Sequence, residues 1–413
     1  MKFIHTSDWH LGRDFMNYDL APYQNDFLGQ ILAQIAAHRP DAVLISGDVL
    51  DKPNPGDADL DKLSDFLNQA RRMTRVILIA GNHDGASRLG FAKGFTLPEV
   101  TIVTKAAQVG TAIEIPRPDG ELGALVYPIP YLYPYQDRTE LSTWIDADGV
   151  RHLDDALDPP PNEDDPDPVL PGKPEALFAA ALRRIARDLH QRDTDVPVLA
   201  MAHDFLSPVR EMEPLGNLSP IPVSLLDNLA GGLKGGRGID YLALGHIHQA
   251  FQLSGTNVAA WYAGSPLPYR VSEHNVKGTL LVQIDPNHQV EVQRLALELP
   301  YEVKQLEGSI EDLTNPADPR YQRWHHAFCS INLTETILPP NAYNRLKSVF
   351  PRMLTLTHCQ DSLPETKSSG TEFRELSELE IVTEFLRTCG IDEEEDLALL
   401  RKLFENTFEG TAK

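Results

Sequence analysis

The chain has 413 residues, 42% of them hydrophobic, with 60 acidic against 37 basic side chains and a net charge of −23. That length supports two or three domains with a substantial core, and the absence of any run approaching about 20 apolar residues excludes a membrane-spanning helix. The acidity argues against a surface that binds nucleic acid unaided, because backbone binding needs clustered Lys and Arg.

In chain order, Lys2 to Ser7 reads as a short buried strand. It occupies the place of an apolar leader, so the expected location is cytoplasmic. Pro22 to His38 has Phe27, Ile31, Leu32 and Ile35 at helical spacing, with Pro22 suited to a first turn. Ala42 to Ser46 and Arg75 to Ala80 are further strands, separated by a helix over Asp57 to Met73. This βαβαβ order predicts a largely parallel sheet covered by helices. Strand-like runs return at 124–129, 196–201, 241–244, 259–263 and 279–284. Asp154 to Pro174 carries seven prolines among acids and reads as an exposed, mobile insert. Ala176 to His190 resumes helical periodicity.

After Asp285 the pattern becomes that of a small α+β unit, with strands at 289–299, 301–306, 328–333 and 353–357 and a helix at 341–350. Residues 361–371 read as a polar linker, and Leu376 to Phe408 as two amphipathic helices. The expected organisation is a 1–275 catalytic domain, a 276–360 capping domain, the linker, and a 372–413 helical segment. Cys329, Cys359 and Cys389 are odd in number and far apart, a poor disulfide framework that fits a reducing compartment.

Five short motifs carry the chemistry: Asp8-Trp9-His10, Gly47-Asp48-Val49-Leu50-Asp51, Gly81-Asn82-His83-Asp84, Ala202-His203 and Gly245-His246-Ile247-His248. Four follow an apolar strand and the fifth closes one, which places their side chains in loops along one sheet edge, where open α/β folds bind ligands. Asp8 and His10, one residue apart, can converge on a single ion. The two oxygens of Asp48 can bridge two ions. Asn82 offers an amide oxygen, and His203, His246 and His248 complete the set. Carboxylate, amide and imidazole together suit Mn, Fe or Zn better than Ca or Mg, and the lack of a thiolate argues against a closed structural zinc site. His83, beside Asn82, is the candidate to donate a proton or a charge-assisted hydrogen bond to a phosphate or leaving oxygen. Asp84 could orient its ring. His5 reads as a packed or supporting residue, Asp51 as a support for the loop or for His10, and Gly47, Gly81 and Gly245 as turn residues that aim the ligands.

Taken together, the motifs resemble those of the calcineurin-like metallophosphoesterase superfamily. Thr6-Ser7-Asp8-Trp9-His10-Leu11-Gly12, Leu244 to His248, Ala263-Gly264-Ser265-Pro266 and the tail around Leu376 to Leu379 are similar to the SbcD group of DNA-repair nucleases. The resemblance implies a four-layer sandwich of mixed sheets flanked by helices, with a small α+β capping domain and C-terminal helices. It implies two manganese ions, one held by Asp8, His10, Asp48 and His248, the other by Asp48, Asn82, His203 and His246, with His83 catalytic. It also implies ATP-dependent double-strand exonuclease and single-strand or hairpin endonuclease activity. The implied partners are DNA and the coiled-coil ATPase SbcC, gripped by the terminal helices, with a homodimer inside a heterotetramer. Arg13, Arg88 and Arg270 are candidate DNA contacts. Two features depart from the pattern: Ala202 where a glycine commonly stands, and the long acidic insert. A small-molecule phosphodiesterase, a protein phosphatase and a non-catalytic scaffold are the competing readings, since a fold does not fix a substrate.

Overall fold

Short β-branched runs separated by amphipathic helices close into two six-stranded sheets in the computed structural model of the chain. The structure describes residues 1–358 apart from 17, 92–98, 147, 158–167, 209–218, 232–237, 274 and 336. The chain divides into two compact units, Met1–Val303 and Lys304–Lys413.

In the first unit, β1 (Lys2–Thr6), β2 (Ala42–Ser46), β3 (Arg75–Ile79) and β4 (Val100–Val103) run parallel, each beside the next. The chain then builds a second sheet from β5 (Ile113–Pro116), β6 (Leu122–Ile129), β7 (Val198–His203), β8 (Tyr241–Gly245), β9 (Phe251–Gln252) and β10 (Ala259–Tyr262), in the order β9-β10-β8-β7-β6-β5. It returns to the first sheet as β11 (Gly278–Ile284), antiparallel to β1, and β12 (Val290–Ala296), antiparallel to β11. The four central strands β6, β7, β8 and β10 of the second sheet are parallel, so their carboxyl ends share one edge.

Period-two alternation decides which side chains meet between the sheets. Phe3, Ala42, Leu44, Ile77 and Ile79 of the first sheet pack against Val126, Leu199, Met201, Tyr241 and Ala243 of the second. The opposite face of the second sheet, with Leu125, Tyr127, Val198, Ala200 and Leu242, is covered by helical residues Leu177, Phe178, Ala181 and Ile185. Those four belong to Pro174–Gln191, the third of the long helices. The first two, α1 (Ala21–His38) and α2 (Asp57–Ala70), bury Phe27, Ile31, Ile35, Leu63 and Phe66. Trp9, fully buried, sets its ring edge-to-face against both Phe27 and Phe66, which ties the loop after β1 to both helices. The result is the helix–sheet–sheet–helix sandwich expected from the motifs.

The domain boundary is a correction. Residues 278–296, assigned on sequence to the capping domain, are β11 and β12 and hydrogen-bond to β1 and to each other. An antiparallel hairpin leaves no local trace of which sheet edge it will join. The second unit therefore starts at Lys304. It is a three-stranded sheet of Val303–Gly308, Phe328–Leu333 and Met353–His358 with the helix Ala342–Val349, closed around Leu306, Ile331, Leu333, Leu346 and Phe350. Cys329 is a buried free thiol there. The expected linker, the terminal helices, Cys359 and Cys389 lie outside the described residues.

The acidic insert is also tighter at its ends than expected. Asp154 is buried and accepts two bonds from Arg183 of the third helix, at 2.5 and 3.1 Å, and Leu170 is buried against the same helix. Burying one carboxylate with a two-pronged guanidinium partner outweighs the local excess of acids. Residues 158–167 lie outside the described residues.

Candidate metal centre

All five motifs fall at the carboxyl ends of parallel strands. Asp8 follows β1, Asp48 follows β2, Asn82 follows β3, His203 ends β7, and His246 follows β8. His203 lies opposite Gly245 in the β7–β8 register, so the fourth and fifth motifs arrive side by side. The loops after β1 and β2 run on together, with Asp8 N donating to Gly47 O and His10 N to Asp48 O, both at 3.0 Å.

The backbone there is bent out of ordinary geometry. Asp8, His10, Asp48 and His246 all have positive φ, from 47° to 98°. Such conformations cost of order 1–3 kcal/mol each and persist where the surroundings over-determine them. The glycines serve close approach more than turning. Gly47 does have φ +84°, but a Cβ on Gly81 would lie 2.2 Å from Asp48 Oδ1, and one on Gly245 would lie 1.9 Å from Ser46 O. The two sheet edges therefore converge backbone to backbone, and this brings donors from both onto one spot.

Three clusters of potential ligands result: Asp8, His10 and His248; Asp48, His203 and His246; and His10, Asp48 and His83. Asn82 Oδ1 lies 3.1 Å from both His203 Nε2 and His246 Nδ1. His203 Nε2 is 3.3 Å from Asp48 Oδ2, and His10 Nε2 is 3.7 Å from the same oxygen. Asp48 thus lies between the first two clusters, as a bridging carboxylate must.

The tautomers test whether a cation belongs here. His203 Nδ1 is 2.7 Å from Ser46 O, a carbonyl that can only accept, so Nδ1 carries the proton. In the neutral ring the Nε2 lone pair then faces a carboxylate and an amide oxygen, both acceptors. His248 Nδ1 donates to Glu273 Oε1 at 3.1 Å, and His10 Nδ1 lies 3.2 Å from Asp51 Oδ1, an ion-pair distance with poor hydrogen-bond alignment. The Nε2 atoms of these two rings are left pointing at each other across 3.2 Å. Two imidazole nitrogens this close need a proton or a cation between them. Metal bonds of about 2.1 Å at right angles separate neighbouring donors by about 3.0 Å. The residues fit divalent metal.

The electrostatics agree. Burial alone would raise the Asp48 carboxyl, but the charges of His203, His10 and His83 pull it well below the usual range. Burial would likewise lower His203, yet Asp48 pushes it up to about 10. Burial and repulsion from His203 bring His246 down to about 4, and burial lowers His10.

His83 donates from its backbone N to Asp48 Oδ1 at 2.8 Å, and its ring Nδ1 is fixed by Asp51 O at 2.9 Å. Asp84 does not take the role expected of it. Its carboxylate accepts from Gly81 N, Leu50 N and Val49 N and so ties the second and third motif loops together. Burial and the charge of Asp48 raise it to about 6. Asp84 braces the centre, and the carbonyl of Asp51 orients His83. A carboxylate adjacent in sequence cannot be told from a partner of the neighbouring ring until its loop is folded.

Several supporting residues had no sequence signal of their own. Gln24 on α1 is fully buried and donates to His10 O at 3.1 Å. The Tyr269 hydroxyl donates to Trp9 O, and its ring lies edge-on to His10 and His248. Arg13, expected to meet DNA, reaches Asp51 Oδ1 at 3.1 Å and covers the Tyr269 ring. Arg88 and Arg270 are exposed. His5 is buried against the Tyr241 hydroxyl, and burial drives it down to about 3.

Residues 1–250 match the family model described as calcineurin-like phosphoesterase, and the chain belongs to that family. Among curated proteins it is similar to those named as the SbcD component of the nuclease SbcCD. The proteins of that name from Escherichia coli K12 and O157:H7 are each 27% identical over 281 residues, covering 66% of this chain. The one from Staphylococcus epidermidis ATCC 12228 is 22% identical over 363 residues, covering 87% of this chain and 85% of its own. The matched region spans 62% of the length of the E. coli relatives. The likeness to the SbcD group seen in the motifs is borne out by these relatives. Among the described residues, no helix is long and apolar enough to cross a membrane.

Proposed function

We propose that the chain is a manganese-dependent DNA nuclease that acts on DNA ends and hairpins as the partner of an SbcC-type ATPase. The observation that carries the chemistry is the convergence of seven donors, Asp8, His10, Asp48, Asn82, His203, His246 and His248, with the Nε2 atoms of His10 and His248 only 3.2 Å apart. The substrate and the partner rest on the relatives named as components of the nuclease SbcCD.

Two bound ions would polarise the phosphodiester and supply hydroxide near neutral pH. The chain's own residues do the rest. Asp8, His10, Asp48 and His248 would hold one ion, and Asp48, Asn82, His203 and His246 the other. His83, fixed through Nδ1 by Asp51 O, presents Nε2 to the phosphate or the departing oxygen. From that position it donates a proton or a charge-assisted hydrogen bond. With a net charge of −23, the chain relies on its partner for much of its DNA affinity. The segment 372–413 would dock its apolar faces onto that partner as helices in a groove.

The test is cleavage of a hairpin DNA by the purified full chain with manganese. His83→Ala should lower the rate by about 10²–10⁴-fold while manganese binding persists. Turnover of cyclic nucleotides without any DNA cleavage would instead make the chain a small-molecule phosphodiesterase.

A further inference from the structure

We infer that Glu273, anchored by the buried Lys277, is a positioning residue that fixes His248 and thereby sets the affinity of one of the two ion sites and not the other. The inference rests on the two-ion reading above.

Of the histidines in the centre, His248 is oriented by a side chain that is itself held by a second charged side chain. Glu273 Oε1 accepts from His248 Nδ1 at 3.1 Å. Its other oxygen receives Lys277 Nζ at 2.6 Å and the backbone N–H of Tyr269 at 3.3 Å. Lys277 is 2% exposed, and its remaining protons go to His248 O and Ser265 Oγ, both at 2.9 Å. All three ammonium protons are thus used around one ligand, two holding its backbone and its loop and one holding its orienting carboxylate. Gly264 closes the same knot. It has φ +75°, and a Cβ there would lie 2.9 Å from His248 O.

A lysine is rarely buried this deeply without a paired charge. Here the pair also has an output. The Glu273 acceptor keeps the proton of His248 on Nδ1 and leaves the Nε2 lone pair toward His10 Nε2. His203 obtains the same result from a backbone carbonyl, and His246 faces Asn82 through Nδ1. The Glu273–Lys277 pair therefore acts on the cluster of Asp8, His10 and His248. Carboxylate partners of metal-bound histidines typically change metal affinity 10–100-fold.

The experiment is a manganese titration of the full chain, read by calorimetry and by the spectroscopic signal of free aqueous manganese, with thermal unfolding measured in parallel. Glu273→Ala should weaken one of two binding steps by about 10–100-fold and leave the other at its wild-type value. Glu273→Gln keeps an acceptor oxygen and should recover part of the loss. Lys277→Met frees the carboxylate from its anchor and should weaken the same step. Both steps unchanged, or both weakened equally along with a fall in melting temperature, would overturn the inference and leave Glu273 a packing residue. A wild-type chain that takes up a single ion would instead overturn the two-ion reading itself, and this inference with it.

Discussion

At the scale of single residues, the centre is made by close approach as much as by ligand identity. A methyl group on Gly245 would sit 1.9 Å from Ser46 O, against backbone that cannot swing away. Gly245→Ala should therefore cost about 1–3 kcal/mol of stability and also weaken manganese binding, because His246 and His203 would be pushed apart. Denaturant unfolding and metal titration on the same variant check both halves. Protons give a second prediction. Without metal, Asp48 outweighs burial and holds His203 up to about 10, whereas His246 lies at about 4 and is already neutral at pH 7. An ion that takes His203 Nε2 must displace a proton throughout the range below about 10. Apparent affinity should then fall as pH falls from 8 to 6, by up to about tenfold per unit for that proton. Calorimetry in buffers of different ionisation enthalpy would count the proton, and a pH-independent affinity would remove the Asp48–His203 pair from the account.

At the scale of elements, the strand ends position the ligands and the helices hold the strand ends in place. Trp9 wedges between Phe27 of α1 and Phe66 of α2, while Gln24 of α1 carries His10 O, so helix packing reaches the first motif directly. On the other side, the third helix pins the start of the acidic insert through Arg183 and Asp154. The two parts of the insert should respond differently to change. Replacing 158–167 with a short Gly-Ser link should leave hairpin cleavage and melting temperature near wild type. Asp154→Ala should cost about 1–3 kcal/mol, the loss of a charge-assisted hydrogen-bonded pair whose remaining guanidinium still reaches solvent. Equal effects from both changes would mean that the insert is one structural piece.

At the scale of the whole molecule, every donor of the centre comes from the first unit, and each unit has its own core. A chain ending at Val303 should therefore unfold cooperatively and bind manganese as the full chain does. It should lose association with an SbcC-type partner, and removal of Leu376 to Lys413 alone should suffice for that loss. Co-purification of either truncated chain with the partner would move the docking surface elsewhere.

The sequence alone determined the parts whose signals are local. The βαβαβ order was legible because parallel buried strands are continuous apolar runs and their covering helices are amphipathic. The residues that converge, Asp8, His10, Asp48, Asn82, His83, His203, His246 and His248, were legible because each lies at or within four residues beyond the end of such a run. Tertiary structure decided what no local pattern encodes. It put residues 278–296 into the first sheet, since a hairpin's pairing partner is chosen by a distant edge. It turned Asp84 from His83 toward the backbone of Gly81, Val49 and Leu50, and it supplied Glu273, Lys277, Gln24 and Tyr269. Those four act through hydrogen bonds to the motif loops that span from 14 residues, for Gln24 and His10, to 260, for Tyr269 and Trp9, and such bonds exist only once the chain has folded.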